Sequence, residues 1–333
     1  MTEITILGAG AWGTTFGQVL ADAGNHITMW DKNKNIVNDI RNQHHNHTRV
    51  PQITTLPANI TAESDPQQAV RNADIIVVAI ASQAARHVLT QFKPYIADTT
   101  LIVSLMKGIE QTTGQRMDEM IYDVLHLPAH RLAVVSGPNL SAQVAQREPT
   151  AAIIASANTE TAQHIADIST TPYFKPTIST DIIGTELCGS IKNIIALAVG
   201  MSHGAGYGEN TASVIMTYGL SEMVRLGESL GAIPETFYSV AGIGDLICTC
   251  SSSLSRNYTF GFNLGKGMTI DEATQASNGV AEGVATTEAI LVLAERKQVN
   301  MPLVTAVHHI LHGDYGFTTL FEEITGKEVI ENE

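Results

Sequence analysis

A strand, a glycine-rich turn and a helix open this chain in that order, and no other feature limits its fold as much. Residues 4–7 read Ile-Thr-Ile-Leu, a short apolar β segment, and run straight into Gly8-Ala9-Gly10-Ala11-Trp12-Gly13. In a G-x-G-x-x-G turn at that junction the first glycine permits the tight turn. The second lets backbone approach a pyrophosphate, and the third allows close helix–strand packing. The helix predicted over residues 14–23, closed by Gly24, aims its N-terminus at the phosphates. A second strand at 26–30 completes a βαβ unit, so a dinucleotide site is expected at the amino end. A purely structural glycine turn is the alternative.

The α/β rhythm continues. Asp65-Pro66 reads as an N-cap with proline at the first helical position, ahead of a buried-looking strand at 74–80. A helix at 82–92, a strand at 101–105, a helix at 114–125 and strands at 132–135 and 151–154 follow. Continuous apolar strands alternating with helices predict a parallel, doubly wound sheet. Beyond residue 180 helical segments take over, at 186–201, 211–230, 284–297 and 303–311. The expectation is an α/β domain over 1–180, a helical domain over 181–333, and a ligand cleft between them.

With 333 residues, 44% of them hydrophobic, the chain is long enough for two such domains. A formal charge of −14 repels polyanions, so neither nucleic acid nor an anionic membrane surface is expected as a partner. Any anionic substrate then needs a local basic pocket. Cys188, Cys248 and Cys250 are odd in number and lack a zinc-like C-x-x-C pair, which fits a reducing, cytoplasmic compartment. No basic leader precedes the first strand and no apolar run is expected to approach the length of a membrane span.

Three cations stand in apolar or glycine-rich surroundings. Lys107 follows the strand at 101–105, at the sheet edge where open α/β folds bind ligands; a solvated strand-end lysine is the alternative. Lys192 lies in a helix so apolar that its ammonium must either snorkel to water or serve a cleft. Arg256, within Ser251-Ser-Ser-Leu-Ser-Arg-Asn257, offers a planar fork suited to a phosphate, unless it marks a surface serine loop. Asp245, in Gly242-Ile-Gly-Asp-Leu246, either orients a lysine or caps a helix. The cluster His44-His45-Asn46-His47 has no acidic or cysteine partner at a helpful spacing, and no metal site is expected there.

Several segments, in order along nearly the whole chain, resemble the bacterial NAD(P)-dependent glycerol-3-phosphate dehydrogenase family. They are Gly8-Ala-Gly-Ala-Trp-Gly13, Lys107-Gly108, Ser136-Gly-Pro-Asn139, Glu186-Leu-Cys-Gly-Ser-Ile-Lys-Asn193, Gly244-Asp-Leu246, Leu254-Ser-Arg-Asn257 and Val280-Ala-Glu-Gly-Val284. The resemblance implies a Rossmann-type domain followed by an all-helical domain of the 6-phosphogluconate dehydrogenase-like kind. It implies reversible hydride transfer between NAD or NADP and dihydroxyacetone phosphate, giving sn-glycerol 3-phosphate for phospholipid synthesis, without a metal and in a homodimer. Lys192 then exchanges the proton, Lys107 steadies the substrate, and Asp245 pairs with Lys192. Ser255, Arg256 and Asn257 hold the phosphate, and Gly137 and Asn139 close around the substrate. Gly8, Gly10, Ala11, Trp12, Gly13, Asp31, Lys32, Lys107, Ser141, Arg256, Val280 and Glu282 border the cofactor.

Some positions depart from the family's commoner pattern: Ala81 stands for proline, Asn139 for serine and Glu209 for aspartate. Asp31, 23 residues after Gly8, sits where an acid binds the ribose 2′-hydroxyl of NAD, whereas Lys32 and Lys34 suit the 2′-phosphate of NADP. Cofactor choice therefore leans to NAD and stays open. Two other readings remain at this point, a related 3-hydroxyacid or 6-phosphogluconate dehydrogenase and a cofactor-sensing protein without turnover.

Overall fold

A computed structural model describes residues 1–277 and 281–313. Eight strands form one sheet: β1 (Glu3–Leu7), β2 (His26–Trp30), β3 (Ile60–Glu63), β4 (Ile75–Val78), β5 (Leu101–Ser104), β6 (Leu132–Ser136), β7 (Thr150–Ala155) and β8 (Phe174–Ser179). Their order across the sheet is β3-β2-β1-β4-β5-β6-β7-β8. The chain divides into two compact units, one of residues 1–107 and 115–185, the other of residues 108–114 and 186–333.

In the first unit, the apolar run of β4 is explained by burial on both faces. Ile75 and Val77 join the layer holding Phe16, Val19 and Met29, while Ile76 and Val78 join the layer of Leu89, Phe92 and Ile102. Side chains alternate across a strand, so a run buried on both sides has no polar position. The Asp65 side chain accepts the Gln68 N–H at 2.8 Å, with Pro66 opening that helix.

One expectation fails. The sheet is not wholly parallel, because β6 and β7 pair antiparallel. The only helix between them, Ser141–Ala145, has 5 residues. At about 1.5 Å per residue it is far too short to carry the chain back along a strand, so β7 enters from the opposite end. β7 and β8 are again parallel, joined through the 11-residue helix Thr159–Ser169.

The second unit is built around the helix Ile182–Gly204, whose last four-fifths belong to it. By length and hydropathy this helix could cross a membrane, which amends the expectation that no apolar run reaches that length. Its apolar surface instead faces protein, since 94% of the relevant window is buried. Contact with the helix Arg256–Gly265 is backbone to backbone. A Cβ added at Gly200 would stand 2.1 Å from the Tyr258 carbonyl oxygen, and one at Gly204 would stand 2.1 Å from that of Phe262. Reciprocally, Gly261 abuts the Leu197 carbonyl and Gly265 that of Met201, each at the same 2.1 Å. Two glycines four residues apart on each helix thus let the axes approach as no larger residue would allow.

The same unit buries Glu222, on the helix Glu209–Ser229, at 1% exposure. Its carboxyl accepts the N–H groups of Leu303 at 2.6 Å and Val304 at 3.2 Å, which open the helix Pro302–Leu311 and lack intrahelical partners. Burial pushes its pKa up to about 7 against the opposing effect of those two N–H groups and of Arg225. A pKa higher in the fold than in the unfolded chain means that Glu222 stabilises most below the ordinary carboxylate range. That contribution fades as the pH rises through about 7.

Two measurements follow from these contacts. Gly261→Ala should lower the melting temperature by roughly 5 °C or more. Gly244→Ala, whose methyl meets nothing closer than 3.7 Å, serves as the comparison and should shift it far less. Between pH 5 and pH 8 the wild type should lose about 2–3 kcal/mol of unfolding free energy relative to Glu222→Gln, read from denaturant titrations at each pH. Parallel pH profiles for the two proteins would show that Glu222 titrates normally.

Candidate active site

The glycine turn of the first unit meets each steric demand that its sequence makes. Gly8 has φ +105°, and a Cβ there would lie 2.7 Å from the Ala79 carbonyl oxygen. A Cβ on Gly13 would lie 2.1 Å from the Gly8 carbonyl oxygen, so helix and turn touch through backbone. Gly10 differs: a Cβ there would meet nothing within 4 Å. It is also the N-cap of the helix Ala11–Asp22, with no side chain to accept that helix's first N–H groups and no acid in its first turn. A cradle of open space before a helix N-terminus fits a pyrophosphate.

The turn is braced from two sides. Asp31, just beyond β2, accepts the Ala9 N–H at 3.1 Å through one carboxylate oxygen and the Asn33 N–H at 2.8 Å through the other. Asn46, 2% exposed, donates to the Ala9 carbonyl and to Thr14 Oγ1, both at 2.9 Å. Sequence reasoning missed Asn46, having weighed its histidine-rich neighbourhood only for metal. Trp12 packs on Phe16, ring centroids 5.6 Å apart, while Ala11 and Lys32 are exposed.

Lys107 reaches back from beyond β5 and donates to the Gly137 carbonyl at 3.1 Å. Gly137 itself admits no Cβ, with the Ala151 carbonyl oxygen 2.9 Å from where one would stand. Two residues on, both amide atoms of Asn139 are buried without a hydrogen-bond partner among the described residues, as is Ser136 Oγ. A buried amide left unpaired costs on the order of 1–3 kcal/mol, which a ligand with a donor and an acceptor would recover. Ser141 opens the following helix, its carbonyl accepting from Thr15 Oγ1 at 3.4 Å.

In the second unit the lysine in the apolar helix does not snorkel. Lys192 is 6% exposed, and its ammonium donates to Asp245 Oδ1 at 2.5 Å and to Thr249 Oγ1 at 2.8 Å. Thr249 donates in turn to Asp245 Oδ1 at 3.3 Å, closing a triangle. Asp245 is the first residue of the helix Asp245–Cys250, so its partner is Lys192 rather than a cap position. Thr249 is a residue that sequence reasoning missed, although the i, i+4 spacing from Asp245 on one helix face was available to find it. Burial pushes the nearby Cys250 thiol up, keeping it protonated and unreactive. No disulfide joins the three cysteines.

Arg256 opens its helix and is exposed, on the wall of an open hollow of about 190 Å³ with Ser253, Leu254, Thr259, Ala276 and Ser277. Ser255 caps that helix by accepting the Tyr258 N–H at 3.3 Å. Asn257 is buried and accepts the Gly283 N–H at 2.9 Å, at the start of the helix Glu282–Lys297, so part of its amide is committed to the fold. Glu282 begins that helix, and Val280 lies outside the described residues.

A Rossmann sheet with an open glycine cradle at its first turn, together with a helical unit that buries an ion-paired lysine, defines the class of dinucleotide-dependent oxidoreductases. Residues 3–162 match the N-terminal profile of NAD-dependent glycerol-3-phosphate dehydrogenase, and residues 181–322 match its C-terminal profile. The chain belongs to that family. It is 56% identical over 327 residues to a glycerol-3-phosphate dehydrogenase (NAD(P)+) of Bifidobacterium longum subsp. infantis, covering 98% of each chain. A protein of the same name from Corynebacterium glutamicum is 43% identical over 328 residues, again covering 98% of each. The crystal structure of glycerol-3-phosphate dehydrogenase from Coxiella burnetii superposes with a TM-score of 0.91 at 34% identity, over 97% of this chain and 98% of that one.

If Asn46 braces the turn as its two bonds indicate, Asn46→Ala should leave the protein folded and weaken dinucleotide binding by about tenfold. Titration of intrinsic fluorescence or calorimetry reads this directly, and unchanged affinity would reduce Asn46 to a loop anchor.

Proposed function

We propose that this protein catalyses the reversible reduction of dihydroxyacetone phosphate to sn-glycerol 3-phosphate with NADH or NADPH. The observation that carries the chemistry is the buried ammonium of Lys192, held at 2.5 Å from Asp245 and 2.8 Å from Thr249. When bound, the nicotinamide supplies the hydride to the carbonyl carbon, or takes it back in the reverse direction. Lys192 gives its proton to the ketone oxygen during reduction and recovers one during oxidation, with Asp245 and Thr249 fixing the direction of the ammonium. Lys107 favours the negative charge that develops on that oxygen, and the unpaired Asn139 amide hydrogen-bonds the substrate.

The exposed Arg256 guanidinium takes the substrate phosphate, helped by Ser255 and Asn257, and contributes to the cofactor's border with Ser141, Val280 and Glu282. Gly8, Gly10 and Gly13 carry the pyrophosphate, flanked by Ala11 and Trp12. On this reading Asp31 favours NADH, since a carboxylate at the end of β2 repels a 2′-phosphate, whereas Lys32 tempers the preference. A homodimer in the cytoplasm, feeding phospholipid synthesis, completes the proposal. Three cysteines with no disulfide among them support a reducing compartment, and the dimer follows from the resemblance alone.

Lys192→Met tests the assignment. Oxidation of NADH by dihydroxyacetone phosphate, followed by absorbance, should fall by about 10²–10⁴-fold in kcat while dinucleotide binding persists. Near-normal turnover would remove Lys192 from proton transfer. A wild-type protein that binds dinucleotide yet never oxidises it with this substrate would instead favour a sensor or another hydroxy-acid substrate.

A further inference from the structure

Glu288 lies on the helix Glu282–Lys297, and His308 and His312 lie on and at the end of the helix Pro302–Leu311. One ligand atom from each falls within 4.8 Å of the other two. Among the described residues no other trio of histidine, cysteine, aspartate or glutamate brings such atoms as close. None of the three belongs to the set built around Lys192, and nothing in the proposed reaction uses them. We propose that Glu288, His308 and His312 form a binding site for a divalent transition-metal ion of the zinc type, independent of the proposed reaction.

One edge of the trio is already close to the spacing such an ion requires. Histidines at i and i+4 stand one above the other on a helix face, and here their rings are stacked with centroids 4.2 Å apart. His312 Nδ1 lies 2.9 Å from the His308 carbonyl oxygen. A carbonyl only accepts, so Nδ1 is the protonated nitrogen, and in the neutral ring Nε2 carries the lone pair. Metal-bound histidines commonly anchor their far nitrogen on a backbone carbonyl in this way. Nε2 is the atom that faces Glu288, 3.5 Å from Oε1. Ligands at about 2.0–2.1 Å from a tetrahedral zinc are separated by roughly 3.3–3.4 Å, so this edge of the polyhedron needs almost no movement. Two imidazoles and one carboxylate are a ligand set that favours zinc, nickel or copper over magnesium or calcium. About half of the Glu288 and His312 side-chain surface is open to solvent, which leaves room for water at the remaining positions.

The ion would tie together two helices joined by a short connection, and the fold would gain stability in proportion to its occupancy. The test is calorimetric titration of Zn2+ into the full, tag-free protein, with melting temperature as a second readout. Expected are one equivalent bound by the wild type, a rise in melting temperature, and affinity weakened about tenfold or more in both E288Q and the double variant H308A/H312A. Activity without metal should be the same in all of them, and circular dichroism checks that these partly exposed substitutions leave the fold intact. H45A/H47A provides the control, since those rings are also stacked, 4.2 Å apart, and could hold zinc in their place. No uptake by the wild type overturns the proposal. So does a Kd within threefold of wild type in E288Q or H308A/H312A, or loss of binding in H45A/H47A.

Discussion

Everything in the second unit is referred to one close contact, where the helices Ile182–Gly204 and Arg256–Gly265 meet through four glycines with no side chain between them. The consequences extend beyond packing density. Lys192 stands two turns before Gly200 on one helix, and Ser255, Arg256 and Asn257 stand at the start of the other. A methyl group at any of the four glycines would push the axes apart and carry the lysine proposed for proton exchange away from the guanidinium proposed for the phosphate. A third helix joins the same arrangement. Gly283 admits no Cβ because the Asn193 carbonyl oxygen and Asn257 Oδ1 lie 2.8 and 2.9 Å from where it would stand.

The Lys192–Asp245 pair shows the electrostatic counterpart of that constraint. Removing two charges from water is costly, and a buried pair repays that cost only when its remaining hydrogen-bonding capacity is met. Thr249 meets part of it by accepting from the lysine and donating to the aspartate. The ammonium is therefore held with little rotational freedom, as the proton transfer proposed for it would require. In the first unit the same logic is written in backbone: Asp31 and Asn46 satisfy both ends of the Ala9 peptide region, so that the turn is fixed before any phosphate arrives.

Much of this was legible in the sequence, for reasons that vary with the element. β4 and β5 are read easily because burial on both faces leaves an unbroken apolar run. β8 is not, since Phe174-Lys-Pro-Thr-Ile-Ser179 is a half-exposed edge strand carrying a lysine and a proline, which edges tolerate and central strands do not. β3 alternates polar and apolar over only 4 residues. Lys192 and Asp245 were recognisable as costly charges in apolar surroundings, but across a 53-residue separation only the family resemblance, and no local pattern, pointed to their 2.5 Å contact. Thr249 and Asn46 are ordinary residues whose roles come wholly from what the fold places beside them. The antiparallel step from β6 to β7 was hidden because it depends on the length of one short helix.

The division of the chain also sets a timetable. Residues 108–114 pack with a unit whose remainder begins only at Glu186, and Gln111 donates at 3.2 Å to the carbonyl of Ala285, 174 residues later. On a ribosome adding about 5–20 residues per second, that acceptor is made roughly 9 to 35 seconds after its donor. The segment between β5 and the helix Met117–Leu125 must wait through that interval without its final neighbours. Its sequence, Gly108-Ile-Glu-Gln-Thr-Thr-Gly114, carries a single large apolar side chain and so offers little for misplaced association while it waits.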